Sequence, residues 1–296
     1  MVEFITAGLL MAFLGMCLSV GLAVANRMLY VYEDPRIDEV EEMLPNTNCG
    51  ACGTPGCRAF AEAAVAGDIA PGKCTVSPSE VLKAIAIYLG VDAGMEEKRV
   101  ARLACAGGTQ VAWTRARYEG LETCRAAALV SGGGKGCAWG CLGLEDCMDV
   151  CDSDAIVMDR YGLPVVDEEK CTACKACVEV CPKQLFSLHP ISHRLWVACK
   201  NLEMGDEAEA ECEVACNACG RCAVDAPEGL ITMENNLAVI DYSRNDLATK
   251  EPILRCPTGA IVWLERGGAI VKGPEAKRVT RVSPLPILET STGIMR

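Results

Sequence analysis

Rings are scarce in this 296-residue chain: aromatic residues make up 5% of it, and histidine occurs twice, as His189 and His193. A core built mainly on large rings is therefore not expected, and histidine catalysis has almost no material. The two histidines are expected in a loop. Cationic surface is also short, with 28 Lys and Arg against 40 Asp and Glu and a net charge of −12. Nucleic acid is excluded as a partner, because phosphate binding needs a basic face. The acidity is spread along the chain and reads as surface solubility. No dinucleotide fingerprint and no hydrolytic constellation is present. The stretch "SGGGKGC" from Ser131 to Cys137 lacks the spacing and the Lys-Ser/Thr ending of a phosphate loop, so it reads as a flexible lead.

What the chain has is 21 cysteines. They fall in short Cys-x2-Cys runs, where neighbouring thiols share a metal centre more readily than they pair as disulfides. Before them, Phe4 to Ala25 is free of charge for 22 residues, long enough as a helix to cross a hydrocarbon core of roughly 30 Å. "AVA" at Ala23 to Ala25 resembles a signal-peptide cleavage site, but Glu3 stands where a basic n-region belongs, so a retained anchor over residues 1–26 is expected. Arg27 and Arg36 follow the span, which puts the N-terminus outside and the body in the cytoplasm. Cys17, inside the span, reads as a small apolar residue.

Residues 27–95 contain Cys49, Cys52, Cys57 and Cys74 in the spacing Cys-x2-Cys-x4-Cys-x16-Cys. Gly50, Gly53 and Gly56 allow tight turning around a [4Fe-4S] cluster, and the alanine-rich run from Arg58 to Ala66 is helical in composition. Four thiolates also suit a tetrahedral zinc, and spacing alone leaves that open. Ser79 to Leu89 reads as a capped amphipathic helix.

The middle of the chain repeats after 75 residues: Cys124, Cys137, Cys141, Cys147 and Cys181 recur as Cys199, Cys212, Cys216, Cys222 and Cys256. "AIVMDRYGLPVVD" from Ala155 and "LITMENNLAVID" from Leu230 each read as two short strands about a turn. This layout resembles a bacterial two-cluster ferredoxin, in which the last cysteine of each run ligates the other cluster. On that rule Cys151, Cys171, Cys174 and Cys177 form one set. Cys181 joins Cys141 and Cys147, and because Leu144 occupies the usual middle position, Cys137 is taken as the fourth ligand. The second repeat keeps Cys216, Cys219, Cys222 and Cys256. Its other set is replaced together by Ala226, Asn245, Ala248 and Glu251, as expected if a whole cluster has been lost.

The expected fold is thus α+β: one transmembrane helix, a small helical four-cysteine domain, then ferredoxin-like βαβ-type modules in tandem. These are a two-cluster module over 96–190, a degenerate one-cluster module over 191–265 and a tail over 266–296. Four [4Fe-4S] clusters account for 16 cysteines, with room for a fifth; Cys105, Cys124, Cys199 and Cys212 have no assigned role. Arg266 to Arg281, with Lys272, Lys277, Arg278 and Arg281, reads as a solvated tail, with a docking arm for another subunit as the other reading.

In order, the anchor, "CGACGTPGC", "KGCAWGCLGLEDC", "GLPVVDEEKCTACKACVEVCP" and "NNLAVIDY" resemble the B subunit of the Rnf complex, a membrane-bound ferredoxin:NAD oxidoreductase, over roughly residues 1–260. The resemblance implies an iron–sulfur electron-transfer subunit without catalytic residues of its own. It implies that electrons arrive from soluble ferredoxin, pass to flavin-bearing membrane partners and reduce NAD while Na+ or H+ is moved. A wiring subunit of a different membrane oxidoreductase, a structural or regulatory iron–sulfur protein and a zinc scaffold are the competing readings.

Overall fold

The structure is a computed structural model and describes residues 2–29, 33–94 and 96–287. Helix α1 (Val2–Leu29) is apolar around its whole circumference, and the stretch Ile5–Leu29 is long and apolar enough to span a membrane. Its side chains, Leu9, Met11, Phe13 and Leu22 among them, are exposed and contact no core.

Three helices follow: α2 (Arg36–Met43), α3 (Cys57–Ala66) and α4 (Ser79–Leu89). They close over Val40, Phe60, Ala61, Leu82 and Ile85, and burying the larger of these stabilises by about 1.5–3 kcal/mol each. The side chain of Asn48 accepts a hydrogen bond from the Cys57 N–H at 2.8 Å, capping the orphan donor at the start of α3. Helix α4 has the expected bounds but no side-chain cap; Ser79 is its first helical residue and Gly90, at φ 69°, ends it.

The remaining body is two βαββαβ units. The first runs β1 (Arg99–Leu103), α5 (Cys124–Leu129), α6 (Asp146–Asp149), β2 (Ile156–Met158), β3 (Pro164–Val166), α7 (Ala176–Val180) and β4 (Phe186–Pro190). The second runs β5 (Leu195–Val197), α8 (Gly205–Glu211), α9 (Arg221–Asp225), β6 (Ile231–Glu234), β7 (Leu237–Ile240), α10 (Glu251–Leu254), β8 (Ile261–Leu264) and β9 (Ile270–Val271). The two foreseen hairpins form, Ile156 pairing with Val166 and Ile231 with Ile240. Asn235 and Asn236, at φ 46° and 65°, supply the left-handed turn of the second. A second antiparallel ribbon closes each unit, β1 with β4 and β5 with β8.

These ribbons correct two expectations. His189 lies on β4 rather than in a loop, and its ring packs with those of His193, Trp196 and Tyr242 where the units meet. Strands β1 and β5 are also equivalents, so Cys105, just after β1, corresponds to Cys199, just after β5; the 75-residue offset linking Cys124 to Cys199 is not structural. The tail between Pro274 and Ile287 keeps most of its side chains exposed, as expected, but its chain is fastened to the body. Arg281 donates to the Gln110 carbonyl at 2.6 Å and pairs with Glu213, and the Leu285 N–H donates to the Thr109 carbonyl at 2.8 Å. The segment folds back over both units. The tail beyond residue 287 lies outside the described residues.

Candidate metal centres

All 21 cysteines are free thiols, which removes the disulfide reading. Three cavities hold the sets expected from spacing: Cys49, Cys52, Cys57 and Cys74 line one of about 320 Å3, Cys151, Cys171, Cys174 and Cys177 one of about 310 Å3, and Cys216, Cys219, Cys222 and Cys256 one of about 340 Å3. Apolar groups complete each wall, Leu44 and Phe60 in the first, Ala101, Ile156 and Leu188 in the second, Val197, Ala238 and Ile261 in the third.

The ligand loops share one backbone conformation. In Cys171-Thr-Ala-Cys-Lys-Ala-Cys177 and Cys216-Asn-Ala-Cys-Gly-Arg-Cys222, the third residue (Ala173, Ala218) has φ 59° and the fifth (Lys175, Gly220) φ 72° and 70°. Left-handed alanine and lysine cost roughly 1–2 kcal/mol each, and loops hold such strain where they wrap something. The loop from Cys141 to Cys147 does the same with Gly143 at φ 72° and Glu145 at φ 68°. Leu144 therefore occupies the backbone position of Cys174 and Cys219.

The cysteine grouped with Cys141, Cys147 and Cys181 is not the one expected to stand in for Leu144. Cys147 has Cys124 and Cys181 as electrostatic neighbours, Cys124 has Cys181, and Cys141 has Cys147. Cys137 is absent from that group and faces Cys105 instead. The physical reason is the insertion carrying α5: the interval from Cys105 to Cys137 exceeds that from Cys199 to Cys212 by 19 residues. Thr123 caps α5 by accepting from the Ala126 N–H at 3.2 Å. The buried carboxylate of Asp146, the first residue of α6, accepts from the N–H groups of Cys124 and Arg125 at 2.8 and 3.1 Å. This clamps Cys124 beside Cys147. The Asp146 contact carries no sequence signature, because it spans 22 residues of irregular chain.

Burial pushes the thiols of Cys141, Cys147, Cys177 and Cys222 up to about 12, so the metal-free chain holds them neutral and each bound ligand gives up a proton. Backbone donors await two of the sulfurs, the Ala101 N–H facing Cys171 Sγ at 3.5 Å and the Leu185 N–H Cys181 Sγ at 3.4 Å, while the Cys74 thiol donates to the Ser77 hydroxyl oxygen at 3.4 Å. Among the described residues no three His, Cys, Asp or Glu side chains converge as a single ion would require. Four thiols lining one apolar-walled cavity without converging on a single point suit a cluster, whose irons each take one thiolate, better than one tetrahedral ion.

Two family descriptions match the chain: "Putative Fe-S cluster" over residues 44–76 and "4Fe-4S binding domain" over residues 164–185. The B subunit of the Na(+)-translocating ferredoxin:NAD(+) oxidoreductase complex of Acetobacterium woodii is 43% identical over 83% of this chain and 74% of its own length. The chain belongs to the B-subunit family of Rnf-type ion-translocating oxidoreductases. The corresponding member from the proton-translocating ferredoxin:NAD(+) oxidoreductase complex of Clostridium ljungdahlii is 36% identical over 92% of this chain and 94% of its own length. That of the ion-translocating oxidoreductase complex of Methanosarcina acetivorans is 35% identical over 85% and 95%. As a member of this Rnf family, the chain is an iron–sulfur electron-transfer subunit of an ion-translocating ferredoxin:NAD oxidoreductase.

Proposed function

We propose that this subunit carries electrons from soluble ferredoxin to flavin-bearing membrane partners of an Rnf-type complex, on the cytoplasmic side of a membrane held by α1. Four [4Fe-4S] clusters sit on Cys49, Cys52, Cys57 and Cys74; on Cys151, Cys171, Cys174 and Cys177; on Cys124, Cys141, Cys147 and Cys181; and on Cys216, Cys219, Cys222 and Cys256. When bound, such clusters exchange single electrons with little rearrangement, at potentials that hydrogen bonds and exposure tune widely. The chain supplies thiolates, N–H donors and dry apolar walls, and no acid, base or nucleophile.

The observation that carries this reading is contiguity. The Thr75 hydroxyl, next to Cys74, donates to the Thr172 carbonyl, next to Cys171, at 3.2 Å, which joins the four-cysteine domain to the first ferredoxin-like unit. Cys177 neighbours Cys147 within that unit. At the far end Cys219 is exposed, which suits it for meeting a soluble donor, while the domain of Cys49 follows the anchor directly. The test is anaerobic titration of the purified chain with reduced ferredoxin, read by low-temperature paramagnetic resonance. Interacting four-iron signals are expected; a chain that no low-potential donor reduces defeats the reading.

A further inference from the structure

Four cysteines remain outside these sets and outside the membrane span: Cys105, Cys137, Cys199 and Cys212. They line one cavity of about 330 Å3 at the seam of the two units, walled by Ala104, Ala198 and Val214. Its size falls within the range of the three four-cysteine cavities described above.

The seam cavity has an internal two-fold relation. Cys105 and Cys199 follow equivalent strands, and Cys137 and Cys212 each stand four residues before the first cysteine of a ligand loop. The donors repeat as well. Cys105 Sγ receives the N–H of Gly107 and of Cys141, both at 3.4 Å; Cys199 Sγ receives those of Asn201 at 3.4 Å and Cys216 at 3.3 Å. Two N–H groups aimed at each of two half-buried sulfurs form a setting for thiolate rather than thiol. Gly107 faces the same space: a Cβ there would stand 3.1 Å from Cys212 Sγ, which it would crowd, and 3.6 Å from Cys105 Sγ, in ordinary contact. Burial otherwise pushes the Cys199 and Cys212 thiols up to about 12. Val279 of the returning tail packs with Val111, Cys212 and Val214 and covers the site.

We propose that Cys105, Cys137, Cys199 and Cys212 hold a fifth four-iron cluster, shared equally by the two ferredoxin-like units. Its position links their neighbouring sites. The N–H of Cys141 and the N–H of Cys216 each reach a seam sulfur, and each of those residues is a ligand of the adjacent set. The site's role as a link rests on the electron path proposed above; its occupancy does not.

The test is iron, sulfide and zinc analysis of the full chain, purified anaerobically in detergent, with Cys17→Ser as control and Cys137→Ser/Cys212→Ser as the variant. About twenty irons per wild-type chain are expected, and about sixteen in the double variant, with Cys17→Ser unchanged. About sixteen irons in the wild type, with or without one zinc, overturns the proposal, and this count decides alone should the double variant fail to assemble. About twenty irons that ferredoxin cannot reduce would sink the electron path and leave the seam cluster standing; about sixteen reducible irons would do the reverse.

Discussion

Asp146 is the residue on which the placement of Cys124, the proposed replacement ligand, depends. Its carboxylate receives two backbone N–H groups at the start of α5, at 2.8 and 3.1 Å, in a position 9% exposed. Hydrogen bonds to a charged acceptor contribute about 1.5–3 kcal/mol each, and the second of a pair sharing one acceptor contributes less. The Thr123 cap survives in Asp146→Ala, but a helix of six residues does not persist on a cap alone. A local cost of about 3 kcal/mol follows, which is roughly a hundredfold shift toward an open α5 with Cys124 released. Asp146→Asn keeps a neutral acceptor and should lie between.

The assay is the rate at which a chelator removes iron from the anaerobic protein, with paramagnetic resonance after mild oxidation. About four irons should leave early in Asp146→Ala, with a three-iron signal preceding their loss, and the rest should leave at the wild-type rate. Iron release from Asp146→Ala at the wild-type rate throughout would refute the reasoning, because Cys124 would then be held by something other than this carboxylate.

Leu144→Cys should restore the iron lost in Cys124→Ala, since residue 144 has the backbone placement of Cys174 and Cys219; iron analysis of the double variant checks it, and no recovery would mean the loop cannot deliver a middle ligand. Glu168→Gln should lower the unfolding midpoint by an amount equivalent to about 3–5 kcal/mol, because Arg102 would be left buried without its partner, whereas Arg102→Met with Glu168→Leu should recover most of it. Burial, then His193, depresses His189 from 6.5 to about 4, so the folded chain keeps it neutral. Above pH 6.5 neither state gains a proton; from 6.5 toward 4 the unfolded chain binds one that the folded chain refuses. Stability should therefore fall with acid across that window by on the order of 1–2 kcal/mol after discounting for partial exposure. Denaturant midpoints of wild type and His189→Asn at about pH 7.5 and 5.5 measure it, and equal pH dependence would count against it.

The ligand runs and hairpins were legible because both are local: three cysteines within seven residues, or "ENNL" between apolar alternations, determine their own geometry. What escaped is non-local. Strands β1 and β5 are five and three residues long and acquire their identity only by pairing with β4 and β8, far along the chain. Their equivalence left a faint trace, Leu103-Ala-Cys105 against Val197-Ala-Cys199, which the insertion carrying Cys124 obscured by placing another cysteine 75 residues before Cys199. The His189 ring cluster was illegible for the same reason, since Tyr242 and Trp196 reach it from the second unit.

The absence of a second four-cysteine set from the second unit can be understood by position. Ala226 and Ala248 pack against the core that includes Ile253 and Leu230, so apolar side chains fill what a cluster would have occupied, and the unit keeps its ribbons without a void. The site that was lost corresponds to that of Cys151, Cys171, Cys174 and Cys177, the one turned away from the seam. In the first unit that distal set adjoins the four-cysteine domain, since the Thr75 hydroxyl donates to the Thr172 carbonyl beside it. The set the second unit keeps is the one whose Cys216 N–H reaches the seam sulfur of Cys199, which is the arrangement that the proposed row of centres requires.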